Sequence, residues 1–80
     1  MSDPDVQKHI EELVAEEHRL LDAAAQRPLS EAERQRLTDV NVRLDQYYDL
    51  LRQRRARQEF AQNPEEAHLR SGDTVEKYLQ

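Results

Sequence analysis

Hydrophobic residues recur every three or four positions in two separate stretches of this chain. The first set is Val6, Ile10, Leu13, Leu20 and Ala24, and the second set is Leu37, Val40, Leu44, Tyr47 and Leu51. This spacing places each set on one face of an α-helix, a pattern typical of a helix that packs against another helix. The pattern therefore predicts two long amphipathic helices with facing seams.

Proline and capping residues mark the ends of the first predicted helix. It begins at Asp3 or Pro4, because proline suits the first helical position and Ser2 or Asp3 can cap it. It ends near Ala25, because Pro28 disfavours helical geometry for the residue that precedes it. The connection to the second helix is therefore short.

The second predicted helix begins near Glu31. Ser30 and Glu33 have the spacing of a capping box, in which the serine caps the helix and the glutamate bonds back to the serine. The next helix breaker is Asn63-Pro64. Because the connection is short, the helices should lie antiparallel, and residues 52–62 should project roughly 15 Å beyond the first helix.

The predicted fold is thus all-α. Residues 1–62 form an antiparallel helical hairpin with a long second helix, and residues 63–80 form a C-terminal tail. In the tail, Val75, Tyr78 and Leu79 have helical spacing and predict one short helical turn.

A small core predicts self-association. Only 36% of the residues are hydrophobic, and domains of this size often compensate for a thin core by forming oligomers. Val42, Leu50 and Phe60 lie off the predicted seam, so they could pair two hairpins into a homodimeric helix bundle of the coiled-coil type. In the alternative, the tail folds back and covers the same strip within one chain.

The charge distribution bears on the class of partner. The net charge is −5; residues 3–25 carry seven acids and two bases, whereas residues 31–62 carry six acids and seven arginines. An acidic first helix beside a slightly basic second helix favours their antiparallel pairing. An acidic chain is not typical of a general nucleic-acid-binding protein.

An arginine cluster with a nearby aromatic residue is the candidate interaction surface. It consists of Arg52, Arg54, Arg55, Arg57 and Phe60. The arginines are spaced all round the helix, and no aromatic residue lies among them to stack on bases. An acidic protein partner or a second copy of the chain is therefore favoured over nucleic acid. A nucleic-acid-associated accessory protein remains the alternative function.

Three polar residues are expected to be buried. Glu17 lies in the middle of the first apolar face, where a carboxylate needs a partner such as Arg36, Arg43 or a tyrosine hydroxyl. We interpret it as a structural ion pair or hydrogen bond, not as an acid–base group. Tyr47 and Tyr48 lie between apolar residues, so one or both should reach the core or an interface.

No catalytic, cofactor-binding or metal-binding site is predicted, and we expect no enzyme. There is no cysteine, so neither disulfides nor thiolate metal sites are available. His9 and His18 lack a glutamate three residues before them, so the Glu-x-x-His motif of carboxylate bundles is absent. No run of residues has the length of a membrane span or the pattern of a signal peptide, which predicts a cytoplasmic protein.

Two long stretches of the chain resemble a known family. These are the stretch HIEELVAEEHRL at residues 9–20 and the stretch LDQYYDLLRQRRA at residues 44–56, with the ending VEKYLQ as weaker support. In them the chain resembles small, mainly actinobacterial proteins that form a domain of unknown function. The resemblance implies a small soluble helical protein and supplies no activity. The function predicted from all these features is a non-enzymatic, self-associating protein–protein interaction module.

Overall fold

Two long helices and two short ones make up the described part of the chain. The computed structural model describes residues 2–60 and 62–78, which contain α1 (Asp3–Gln26), α2 (Glu31–Glu59), a 3₁₀ turn (Pro64–Glu66) and α3 (Gly72–Tyr78). No strand occurs in these two ranges. The prediction of an all-α chain is confirmed. Of the three residues that predicted a short helical turn in the tail, Val75 and Tyr78 belong to α3, whereas Leu79 and the side chain of Tyr78 lie outside the described part of the chain.

Both long helices begin with a capping box. At α2, Ser30 Oγ accepts from the Glu33 amide at 3.1 Å, and Glu33 Oε1 accepts from the Ser30 amide at 2.9 Å, as predicted. At α1, Ser2 Oγ accepts from the Asp5 amide at 3.3 Å, and Asp5 accepts from the Ser2 amide and hydroxyl. An aspartate thus takes the place that glutamate usually has in this motif.

Helix α2 ends earlier than predicted, at Glu59 rather than next to Pro64. Phe60 leaves helical geometry, with φ −99° and ψ 20°. The Gln62 amide then donates to the Arg57 carbonyl at 2.6 Å, which closes the last turn. The chain therefore turns back before the proline is reached, and the overhang of α2 is shorter than expected.

The core lies between α1 and the middle of α2. Its buried members are Val6, Ile10 and Leu13 from α1 and Val40, Leu44 and Leu50 from α2. Leu13 shares this cluster with Val40 and Leu44, so residues of both predicted seams belong to the core. Leu50 is only 2% exposed, so the expectation that it lies off the seam and faces a second chain is wrong.

Two ion pairs connect α1 with α2. Asp3, at the start of α1, contacts Arg54 near the end of α2. Further along α1, Glu16 contacts Arg36 near the start of α2, with a second hydrogen bond of 2.7 Å. The beginning of each helix is therefore tied to the later part of the other.

The tail packs along α2. Gln53 Nε2 donates to the His68 carbonyl at 2.8 Å, and Gln46 Nε2 donates to the Arg70 carbonyl at 3.0 Å. Further along, Gly72 lies so close to Val42 that an added Cβ would stand 2.7 Å from Val42 Cγ1. The tail thus contacts Val42, one of the residues assigned to the dimer interface from the sequence.

Candidate interaction surface

The arginine cluster is divided between the interior and the surface. Arg54 is only 5% exposed, because it lies one helical turn beyond the core residue Leu50 and on the same face of α2. Its guanidinium contacts Asp3 and, at 3.7 Å, Glu65. The assignment of Arg54 to an interaction surface is therefore wrong, because this side chain links α1, α2 and the 3₁₀ turn.

The remaining three arginines differ in their surroundings. Arg57 is half-buried and donates to Glu66 at 3.3 Å, which ties it to the tail. Arg52 and Arg55 are exposed and have no ion-pair partner among the described residues. Of the four predicted arginines, these two therefore keep their charge available for a partner.

Phe60 is the most exposed large hydrophobic residue of the described chain, at 75%. It follows the last residue of α2 and borders a shallow groove of about 190 Å³, which Gln53, Ala56 and Arg57 also line. Arg52 and Arg55 do not line this groove. We call the exposed residues Arg52, Arg55 and Phe60, in the last turns and at the end of α2, the α2 end surface. It contains one exposed aromatic ring and two arginines without an ion pair among the described residues.

The two tyrosines expected in the core differ in exposure. Tyr47 is half-buried, packs against the core and stacks on His9 with a centroid separation of 5.4 Å. Tyr48 is 41% exposed, because one residue rotates a helical side chain by about 100°. The assignment of Tyr48 as a buried polar residue is therefore wrong.

Glu17 is half-buried, but the ion pair expected for it forms one residue earlier. Arg36 binds Glu16, whose pKa is held below its usual value by the hydrogen bonds from that arginine. Glu17 has no hydrogen bond or ion pair among the described residues. The prediction of an arginine or tyrosine partner for Glu17 is therefore wrong, because Arg36 pairs with the neighbouring Glu16 instead.

A stripe of α2 side chains that holds the tail was missed by sequence reasoning. Val42, Gln46, Asp49 and Gln53 have helical spacing and lie under the tail. Asp49 is only 4% exposed; it accepts from Gln53 at 2.9 Å and lies 3.6 Å from Arg70. The available signal was the spacing of two glutamines and an aspartate, all able to bond to a backbone segment laid across them.

A polar cleft of about 300 Å³ lies where α1, α2 and the tail meet. His9, Glu12 and Arg36 line it, together with Arg43 and Tyr47. Within residues 2–60 and 62–78, no three histidine, aspartate or glutamate side chains converge as metal ligands would. Among the same residues, no helix is both long and apolar enough to cross a membrane.

These features define a small all-helical protein with a covered α2 face and an uncovered α2 end surface. The chain belongs to the family described as a protein of unknown function, DUF2630, whose model matches residues 2–80. It is 42% identical over 78 residues to an uncharacterised protein of Mycobacterium bovis, an alignment covering 96% of this chain and 90% of that protein. Uncharacterised proteins of two Mycobacterium tuberculosis strains, CDC 1551 and H37Rv, match with the same identity and coverage. No solved structure matches this chain.

Proposed function

We propose that the protein is a non-enzymatic, cytoplasmic protein–protein interaction module that self-associates through the α2 end surface. The observation that carries the proposal is the side chain of Phe60, which is large, apolar and 75% exposed. Aromatic and arginine side chains are enriched at the energetically dominant positions of protein interfaces. Phe60 with Arg52 and Arg55 has that composition.

The antiparallel hairpin of α1 and α2 is the rigid unit in this proposal. The ion pairs Asp3–Arg54 and Glu16–Arg36 support it, because their order along the two helices is the one an antiparallel pair requires. A hairpin with this order holds the end of α2 beside the start of α1. The α2 end surface then lies at one end of the rigid helical hairpin.

The partner that fits this surface is α1 of a second copy. Residues 3–25 carry seven acids and two bases, and Glu11, Glu12 and Asp22 are exposed there. Arg52 and Arg55 would find in that helix the acidic groups that their own chain does not supply. Such charge complementarity raises the association rate and the specificity of a complex more than it raises the affinity.

The proposed dimer is weaker than the one expected from the sequence. Leu50 lies in the core, and Val42 lies under the tail, so neither adds apolar area to the contact. Interfaces well below about 1,200 Å² of total buried area are usually transient. We therefore expect the dissociation constant of the dimer to be micromolar or higher.

Sedimentation equilibrium from about 10 to 500 µM protein tests self-association. The expected result is a mass that rises with concentration from 9.5 kDa towards twice that value. Phe60→Ser should abolish the rise, and Leu69→Ser, which alters another exposed apolar residue, should not. A 9.5 kDa species at every concentration overturns the proposal.

The alternative, a nucleic-acid-associated accessory protein, has less support. Arg54 is buried, and Arg57 is paired with Glu66, so only Arg52 and Arg55 of the cluster remain for phosphates. Phosphate binding would weaken steeply between low and moderate salt. Fluorescence anisotropy with a labelled duplex at two salt concentrations separates the alternatives, since salt-sensitive binding would favour the accessory role.

A further inference from the structure

The polar cleft of about 300 Å³ lies between one face of α1, one face of α2 and the tail. On α1 the lining residues are spaced i, i+3, i+4 and i+7: His9, Glu12, Leu13 and Glu16. On α2, Arg43 and Tyr47 are four residues apart. Residues at these spacings share one side of a helix, so the pairing of the two helices itself forms the walls. The volume lies at the lower end of the range of small-molecule sites.

The tail supplies Leu69, and hydrogen bonds on both sides of this residue hold it at the cleft. Gln53 donates to the carbonyl of His68 at 2.8 Å, and Gln46 donates to the carbonyl of Arg70 at 3.0 Å. The Leu69 side chain is nevertheless 42% exposed. The structure thus fixes the position of an apolar side chain beside the cleft without covering it.

Two charged side chains of opposite sign line the cleft without a partner of their own. Glu12 of α1 and Arg43 of α2 are exposed, and neither has a hydrogen bond or an ion pair among the described residues. The pKa of Glu16 is lowered chiefly by its hydrogen bond with Arg36 and to a smaller extent by the charge of Arg43. Glu16 is therefore already paired, whereas the hydrogen-bonding capacity of Glu12 and Arg43 is unused.

We propose that the cleft binds a small zwitterion, an α-amino acid with an apolar side chain. Arg43 binds its carboxylate, Glu12 binds its ammonium group, and its side chain packs against Leu69. A guanidinium donates two parallel hydrogen bonds to a carboxylate, and a carboxylate accepts from an ammonium group. The apolar contact removes part of the exposed Leu69 side chain from water. The site uses no residue of the α2 end surface.

The charges of the cleft favour a zwitterion over a simple anion or a simple cation. A phosphate near Arg43 would also meet the negative charges of Glu12 and Glu16, and like charges repel. A simple amine near Glu12 would likewise meet the positive charge of Arg43. A zwitterion places each of its charges beside the opposite charge of the protein.

A chemical-shift titration by NMR tests the proposal, with L-phenylalanine as the probe. The amide signals of the cleft residues should shift in a saturable manner, with a dissociation constant of about 1 mM, because a small ligand in an open cleft makes few contacts. N-acetyl-L-phenylalanine lacks the ammonium group, L-phenylalaninamide lacks the carboxylate, and L-alanine lacks the large apolar side chain. Each of these three compounds should bind about fivefold more weakly or worse.

Matched variants separate the site from general charge effects. Arg43→Gln and Glu12→Gln should each weaken the binding of L-phenylalanine about fivefold or more. The controls Arg52→Gln and Glu11→Gln change exposed residues of the same two helices outside the cleft and should bind like the wild type. Phe60→Ser should also bind like the wild type, so loss of self-association and loss of ligand binding are separate results.

The amide spectrum of each variant shows directly whether it has kept its fold. Saturable shifts that are absent, or that lie away from the cleft, overturn the proposal. Equal binding of L-phenylalanine and its two derivatives also overturns it, as does wild-type binding by a folded Arg43→Gln or Glu12→Gln variant.

Discussion

Replacing Gly72 with alanine measures how closely the tail fits α2. The new Cβ would stand 2.7 Å from Val42 Cγ1, nearer than carbon atoms normally approach. Val42 cannot easily move aside, because a β-branched side chain in a helix has essentially one preferred rotamer. The added methyl group must therefore push α3 away from α2 or displace the α2 backbone.

The magnitude follows from two opposing effects. Overpacking a well-packed contact costs about 1–3 kcal/mol. Alanine is favoured over glycine within a helix by up to about 1 kcal/mol, and by less here because Gly72 is the first residue of α3. We expect Gly72→Ala to lower the free energy of unfolding by about 1 kcal/mol, and to reduce the exchange protection of Val75.

A double-mutant cycle with Val42→Ala isolates the clash. The shortened side chain has no Cγ1, so Gly72→Ala in that background should be neutral or stabilising. Urea unfolding followed by circular dichroism gives the four free energies, and the coupling energy should be about 1 kcal/mol or more. An equal cost of Gly72→Ala in both backgrounds would refute the close approach of Gly72 to Val42.

Three further predictions concern single side chains. Glu17→Leu should leave the free energy of unfolding unchanged or raise it, because Glu17 is half-buried without a described partner; a loss in urea unfolding contradicts this. Ser30→Ala should lower it by about 1 kcal/mol, since the α2 cap is lost, whereas Ser30→Thr should lower it less. A hydrogen bond from Arg27 lowers the pKa of Glu33 to about 2. Ionised Glu33 therefore contributes to the free energy of unfolding at pH values above its ordinary pKa of 4.5, and this contribution is lost as pH falls towards 2. Glu33→Gln should therefore reduce the loss of stability measured across that range.

Local features of the sequence determined the two long helices and their contact. Capping boxes and helix breakers act over a few residues, so Ser30 with Glu33 marked the start of α2 without knowledge of the fold. The three-to-four spacing is equally local, and residues of both predicted seams, among them Leu13, Val40 and Leu44, belong to the core. A short connection between two such helices leaves few arrangements open.

The tertiary structure alone decided which residues around these helices are covered. Tyr47 and Tyr48 have similar sequence surroundings, and only the rotation of α2 against α1 separates the half-buried ring from the exposed one. Arg54 looked like part of a charged surface, yet Asp3 and Glu65 meet it from elements distant in sequence. Such burial depends on pairings that no local pattern encodes.

The path of the tail is the clearest case of tertiary control. Gln46, Asp49 and Gln53 resemble a solvated helix face in the sequence, and the tail has few apolar residues to predict its docking. Their side chains instead bind the backbone of residues 68–70 or the Arg70 side chain. The sequence determined that Gln46 and Gln53 could donate hydrogen bonds to a backbone segment. Because every residue has a backbone carbonyl, only the packed structure decided that the segment is residues 68–70.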